Sequence, residues 1–179
     1  MESRNRLYLL IALIATAFSV HARVFMTQPQ ALARAFPIGV KAVRQTVFLT
    51  PEQIASAKKA SGVDFKDRMI VRYTGSNAAG VVVGYAYFDT HIVRTLPETI
   101  MIVLTADGRV RKIEILSFDE PPDYLASERW IAQLGNRKLD DEFSLKRSIR
   151  PLSGASLTAR VIVNASRKVL ALHQVIGSK

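Results

Sequence analysis

The clearest periodicity in the chain lies near its end. From Ala159 onward, Val161, Ala165, Val169, Leu172 and Ile176 recur at three- or four-residue spacing, which predicts a long helix with one apolar stripe. A second helix is marked by "LTPEQIASAKKASG", with Thr50 as N-cap, Pro51 in the first helical position, Gln53 completing a capping box and Gly62 as terminator. Between them run four strand-like segments, 68–75, 80–89, 99–108 and 109–118. The last two are separated by Ala106, Asp107 and Gly108, a hairpin signal. Within 109–118, Val110, Ile113, Ile115 and Phe118 hold the apolar positions with charge between most of them, which predicts a sheet with one covered and one wetter face. "FDEPPDYLASERWIAQLGN" turns at Pro121 and Pro122 and enters a helix to Leu134, and "LDDEFSLK" reads as a short helix or a loop. "FMTQPQALARAFP" has no clear period and is expected to wrap the surface or link to the domain. The expected fold class is α+β, an antiparallel sheet packed with helices.

Composition adds an address. The chain has 179 residues, 49% of them hydrophobic, enough for one domain with an ordinary core. Arg4 and Arg6 precede the uncharged run Leu7 to Val20, followed by His21, Ala22 and Arg23. A positive start, a short apolar stretch and small residues at Val20 and Ala22 describe a secretory signal over 1–22, either cleaved near Ala22 or kept as an anchor. Either way the domain is expected outside the cytoplasm, periplasmic or extracytoplasmic. The formal charge of +10 then points to a membrane surface, an acidic protein partner or simply a soluble basic exterior, and no nucleic acid is expected. There is no cysteine, so disulfides, a cysteine lipid anchor, covalent c-type haem and cysteine-ligated iron–sulfur clusters are excluded. If the protein moves electrons, an organic cofactor must carry them.

The candidate chemistry gathers at the start of the last helix. In "RPLSGASLTAR", Ser153, Gly154, Ala155, Ser156 and Thr158 fall within six positions, although a cap needs a single Ser or Thr. Helix N-termini offer unpaired N–H groups and the positive end of the dipole, a suitable seat for phosphate. Gly154 and Ala155 let an ester approach the backbone, while Ser153, Ser156 and Thr158 supply hydroxyls. The same residues also fit an elaborate cap over a small-residue packing contact, and both interpretations stand at this point.

"SGASLT" resembles the S-G-A-[T/S]-x-T motif of the FMN-binding domain family, which includes peripheral subunits of the Rnf complex and of the sodium-pumping NADH:quinone oxidoreductase. The resemblance implies that Thr158 is esterified to the FMN phosphate by an exported flavin transferase. It also implies that Ser153, Gly154, Ala155 and Ser156 surround the phosphate, with Leu157 as the free position. "FDEPPDY" is similar to the family's E-T-P-G turn, with Glu120 and Pro122 matching its Glu and Pro, and Tyr124 follows as a candidate wall for the flavin. The similarity spans roughly 75 to 175, with Arg150, Asp123 and Ser156 departing from the commoner Asp, Gly and Thr. The organisation implied is a signal segment 1–22, an N-terminal extension 23–48 and one FMN-binding domain 49–179.

Other positions carry less. Tyr85, Tyr87, Phe88, Phe118 and Trp130 either wall a flavin or fill the core. Glu120 either hydrogen-bonds the flavin or caps the next helix. His91 and His173 lack metal-ligand spacing and are expected at the surface, with no metal site. The expected function is an exported electron-transfer flavoprotein with covalent FMN, exchanging electrons with a membrane-bound or extracytoplasmic redox protein. It is more a carrier than a stand-alone enzyme, with no catalytic residue of its own. The alternative is a flavin-free binding or scaffold module that docks on a membrane complex.

Overall fold

The computed structural model describes residues 23–145 and 147–177. The signal segment expected over 1–22 lies outside the described residues. Among the described residues, no helix is long and apolar enough to cross a membrane.

Six strands form one antiparallel sheet: β1 (Arg23–Val24), β2 (Lys41–Phe48), β3 (Met69–Ser76), β4 (Val82–Ile92), β5 (Pro97–Thr105) and β6 (Val110–Phe118). Their spatial order is β1-β6-β5-β4-β3-β2. The helices are α1 (Gln28–Ala35), α2 (Pro51–Ser61), the one-turn α3 (Glu128–Ile131) and α4 (Ser156–Ile176). Single 3-10 turns at Pro122–Tyr124 and Ala132–Leu134 flank α3. The fold is α+β, as the hydropathy pattern predicts.

Local chemistry accounts for the best-defined boundaries. The α2 capping box forms as expected: the Thr50 hydroxyl accepts from Gln53 N, and the Gln53 side chain accepts from Thr50 N. Gly62 ends that helix in the left-handed region at φ 68°. The β5–β6 hairpin closes through Thr105 N donating to Arg109 O and Gly108 N to Thr105 O.

α4 crosses one face of the sheet and buries eleven side chains, Ile162, Val163, Val169 and Leu170 among them. They meet Tyr85, Tyr87, Ile100, Ile102, Leu104 and Ile113 from the strands, with Trp130, Leu134 and Phe143 from the connecting segment. Arg167 ties α4 laterally, its guanidinium donating to Ser61 O at the end of α2 and to Asp140 O and Phe143 O.

Two expectations are corrected. The segment 25–37 is no surface wrap or linker, because it carries α1 onto the sheet, and the strands flanking it, β1 and β2, form the two edges of the sheet. Thr27 and Gln30 form a capping box over α1, and Ala31, Ala35 and Phe36 pack on Ala86, Met101, Val103 and Leu116. Gly75 makes this contact possible, since a Cβ there would stand 2.5 Å from the Phe36 ring. The second correction follows from the first. With α1 on the second face, β5 is buried on both sides from Ile100 to Leu104, while Lys112 of β6 and Phe48 and Met69 at the β2–β3 end stay exposed.

Phe36→Ala should therefore behave as a core truncation. We expect a loss of about 3 kcal/mol, seen as a fall of roughly 6–12 °C in melting temperature. A melting temperature equal to wild type would show that the N-terminal segment is dispensable.

Candidate functional site

α4 begins without a conventional cap. Its N-cap is Ala155, at φ −127° and ψ 42°, and no side chain accepts from the first-turn N–H groups. The elaborate-cap interpretation of the hydroxyl run therefore fails. Ser153 is exposed, and Ser156 Oγ turns back to Leu152 O at 3.4 Å. Gly154 sits at φ +80° with open space where a side chain would be. A non-glycine residue at that φ is strained even without a clash. The helix thus presents bare, dipole-favoured N–H groups next to a backbone that only glycine adopts easily, an arrangement that fits a phosphate ester.

Thr158 lies one residue further into the first turn and is fully buried. Its hydroxyl donates to the carbonyl of Tyr124 at 2.6 Å. The proline turn and the hydroxyl motif, 34 residues apart, therefore meet at this bond. Leu157, on the neighbouring position, is exposed. Upstream, the motif is held by its backbone: Trp130 Nε1 donates to Arg150 O at 2.8 Å, and Arg150 N donates to Gln133 Oε1 at 3.0 Å. The residue that departs from the commoner Asp is thus fastened through its main chain.

Glu120 is neither a helix cap nor turned to the motif. Its buried carboxylate folds over the tip of the β4–β5 hairpin, where Oε1 accepts from Arg94 N at 3.1 Å, Thr95 N at 2.7 Å and Leu96 N at 2.9 Å. Burial alone would push its pKa up, but the three backbone donors outweigh that and hold it below the usual carboxylate range. This fastens the hairpin tip to the turn that carries Pro122 and Tyr124. Across the same joint, the Arg94 guanidinium lies 4.5 Å from the Tyr124 ring centroid. Pro122 is exposed and shapes the 3-10 turn, with Leu125 N donating to Pro122 O.

The aromatic candidates separate. Tyr85, Tyr87, Phe118 and Trp130 are core, while Phe88 packs edge-on to Tyr73 on the face that α1 leaves partly open. Tyr124 meets the motif at Thr158 and Trp130 meets its upstream end at Arg150.

Both histidines leave the surface, contrary to expectation. His173 is 4% exposed and meets the Tyr87 hydroxyl at 2.9 Å; burial, with Arg72 near, lowers its pKa to about 4, so the ring is neutral at pH 7. His91 bridges Asp89 and Glu98 at 2.9 and 3.0 Å, and Lys168 of α4 closes on Asp89. Burial works against a charged imidazole, but the Asp89 and Glu98 hydrogen bonds prevail and raise its pKa to about 9. Single-residue patterning gave no sign of this cluster, since its members meet only when β4, β5 and α4 pack. Among the described residues, no group of His, Asp and Glu is arranged to hold a metal ion. A cavity of about 710 Å³ runs along the open edge of β6, lined by Phe25, Met26, Ile113, Leu125 and Ile131 among others, and contains no residue of the hydroxyl motif.

A proline turn is thus clasped to an uncapped, hydroxyl-bearing helix start, a geometry with room and N–H donors for a phosphate group. Residues 96–171 match the family model described as the FMN-binding domain, which supports a domain of that family, and so a flavin site, over this part of the chain. The match takes in β5, β6, the proline turn, the hydroxyl motif and most of α4. No curated protein matches the chain, and no solved structure matches it.

Two outcomes are expected here. Gly154→Val should stay folded, with a melting temperature lowered by roughly 2–12 °C, while blocking flavin incorporation, because the strained residue costs roughly 1–3 kcal/mol and fills the approach to the N–H groups. Labelling at the wild-type rate would remove the loop from the site. Glu120→Gln should cost on the order of 2 kcal/mol at pH 7. Because the folded-state pKa is depressed, the carboxylate's contribution is present above its unfolded value and is lost as pH falls through the folded one. The gap in melting temperature between wild type and Glu120→Gln should therefore close on acidification, and a gap constant with pH would contradict the charge assignment.

Proposed function

We propose that the protein is an exported electron-transfer flavoprotein that carries FMN covalently through a phosphoester to Thr158. The observation that carries this reading is the uncapped first turn of α4, with free N–H groups beside Gly154 at positive φ and the Thr158 hydroxyl in the same turn. The family match over this region supports it. Of the motif's three oxygen nucleophiles, Ser153 and Ser156 are exposed, Ser156 with a long 3.4 Å contact to Leu152 O, and Thr158 is buried and oriented by a 2.6 Å bond to Tyr124 O.

When bound, FMN supplies the reversible electron transfer. The chain's residues do the rest. The backbone N–H groups of Ser156, Leu157 and Thr158 hold the phosphate, and Gly154 and Ala155 let it approach. The exposed hydroxyls of Ser153 and Ser156 add donors, and Leu157 gives the flavin an apolar contact. Because Thr158 is buried, esterification requires the Pro122–Tyr124 turn to lift from its hydroxyl. A phosphate tether keeps the cofactor on the protein outside the cell and leaves the ring's electronics to the surroundings. Glu120 and Pro122 act by placing the turn. A flavin transferase is the maturation partner, and a membrane-bound or extracytoplasmic redox protein is the exchange partner. The basic exterior suits an acidic docking face.

Thr158→Ala tests the tether. It should fold with a loss of about 1–2 kcal/mol, the cost of leaving the Tyr124 carbonyl without its donor. Made together with a flavin transferase, it should show no in-gel flavin fluorescence and lack the added mass of FMN less one water. Ser153→Ala and Ser156→Ala should label more slowly. Full labelling of Thr158→Ala would place the ester elsewhere.

A further inference from the structure

Arg94 is a cation that the fold brings onto the Tyr124 ring and, among the described residues, leaves without a carboxylate partner. Its guanidinium rests on the Tyr124 ring, and no ion pair among the described residues includes it. Its main chain is not free to drift, because its N–H is one of the three bound by the buried Glu120 carboxylate. An exposed arginine is ordinarily a mobile solvated charge. Here one end is fixed by a buried carboxylate and the other is laid on an aromatic face.

The position relative to the tether is specific. Tyr124 touches Thr158 through its carbonyl, and it carries Arg94 on its ring, at the opposite end of the residue. A group held at Arg94 is thus offset by the length of a tyrosine side chain from the oxygen that bears the phosphate. The phosphate already has the N–H groups of α4. A flavin ring, separated from its phosphate by the ribityl chain, extends over at least that offset. Arg94 therefore faces the ring better than it faces the phosphate.

Resting on the FMN tether at Thr158, we propose that Arg94 is a flavin-contacting residue, the cation that meets the isoalloxazine ring and stabilises its reduced, anionic form. Reduction of the ring by two electrons with uptake of one proton leaves one negative charge on the pyrimidine side, whereas the oxidised ring is neutral. A fixed guanidinium favours the reduced form and raises the midpoint potential. Arginine suits this role, since it keeps its charge and can stack while its N–H groups bond in the plane. The hairpin tip carrying Arg94 lies just before the matched family region, so the residue comes from this chain's own β4–β5 connection.

The test uses the full chain made together with a flavin transferase, with the flavin-bearing fraction isolated and its midpoint potential measured by reductive titration in low salt. Wild type, Arg94→Gln and Arg94→Lys are compared, with thermal melts confirming that each is folded. Arg94→Gln should lower the reduced-to-oxidised ratio at a fixed potential by about tenfold, equivalent to about 30 mV for a two-electron couple. Arg94→Lys should recover part of the difference, and raising the salt should shrink it. Equal potentials for wild type and Arg94→Gln in low salt would overturn the proposal while leaving the tether intact. So would slower labelling of Arg94→Gln with an unchanged potential, which would assign the arginine to the phosphate. Failure of wild type to acquire flavin at Thr158 is a separate result that removes both the tether and this role.

Discussion

Burial of α4 against one face of the sheet sets the position of everything at the site. Eleven of its side chains are packed, from Thr158 to His173, so the helix cannot slide or rotate without opening the main core. Its N-terminus is therefore delivered to a fixed place beside the turn after β6. That turn is fixed in its own right, because Glu120 binds it to the β4–β5 hairpin tip through three backbone donors. The Thr158–Tyr124 hydrogen bond is where the two constraints meet.

The second layer is polar and resists shear. Arg167 links α4 to the end of α2 and to the 140–143 segment, and Lys168 reaches Asp89 in the buried Asp89–His91–Glu98 row. Placing a charged imidazole between two carboxylates is costly unless each partner is satisfied. Against burial, contacts within the row and to Lys168 raise the His91 pKa and lower the Asp89 pKa, whereas burial raises the pKa of Glu98, whose Oε1 has no hydrogen-bond partner among the described residues. A rigid frame of this kind keeps the first turn of α4 and its hydroxyls in one place.

Much of this was legible in the sequence, and the reasons for the rest are physical. The α2 boundaries, the β5–β6 hairpin and the α4 stripe were readable because each rests on contacts within one segment: a capping box, a two-residue turn signal and a helical period. β2 was not readable. Six of its eight residues are exposed and the other two half-buried, so "KAVRQTVF" carries little alternation. α1 was hidden for a related reason, since its buried positions are the small Ala31 and Ala35 and its packing depends on Gly75 forty residues away. At the site, the motif singled out the right loop, but it could not reveal that Glu120 is committed to the hairpin tip. Nor could it reveal that Arg94 and Tyr124 stack, because both facts depend on strand pairing that brings 94–96 beside 120–124.

The absence of any helix cap at α4 is the feature that ties fold to function. A protein that needed only stability would place one hydroxyl at the cap; this one surrounds the position with hydroxyls and uses none of them there. The most direct measurement is a tryptic map of the full chain made together with a flavin transferase. Arg150 is followed by Pro151, so cleavage is expected after Arg147 and Arg160, giving one peptide from Ser148 to Arg160 that holds the whole motif. That peptide should carry FMN less one water, with fragment ions placing the mass on Thr158. A flavin mass on any other residue, or the unmodified peptide alone, would contradict the account.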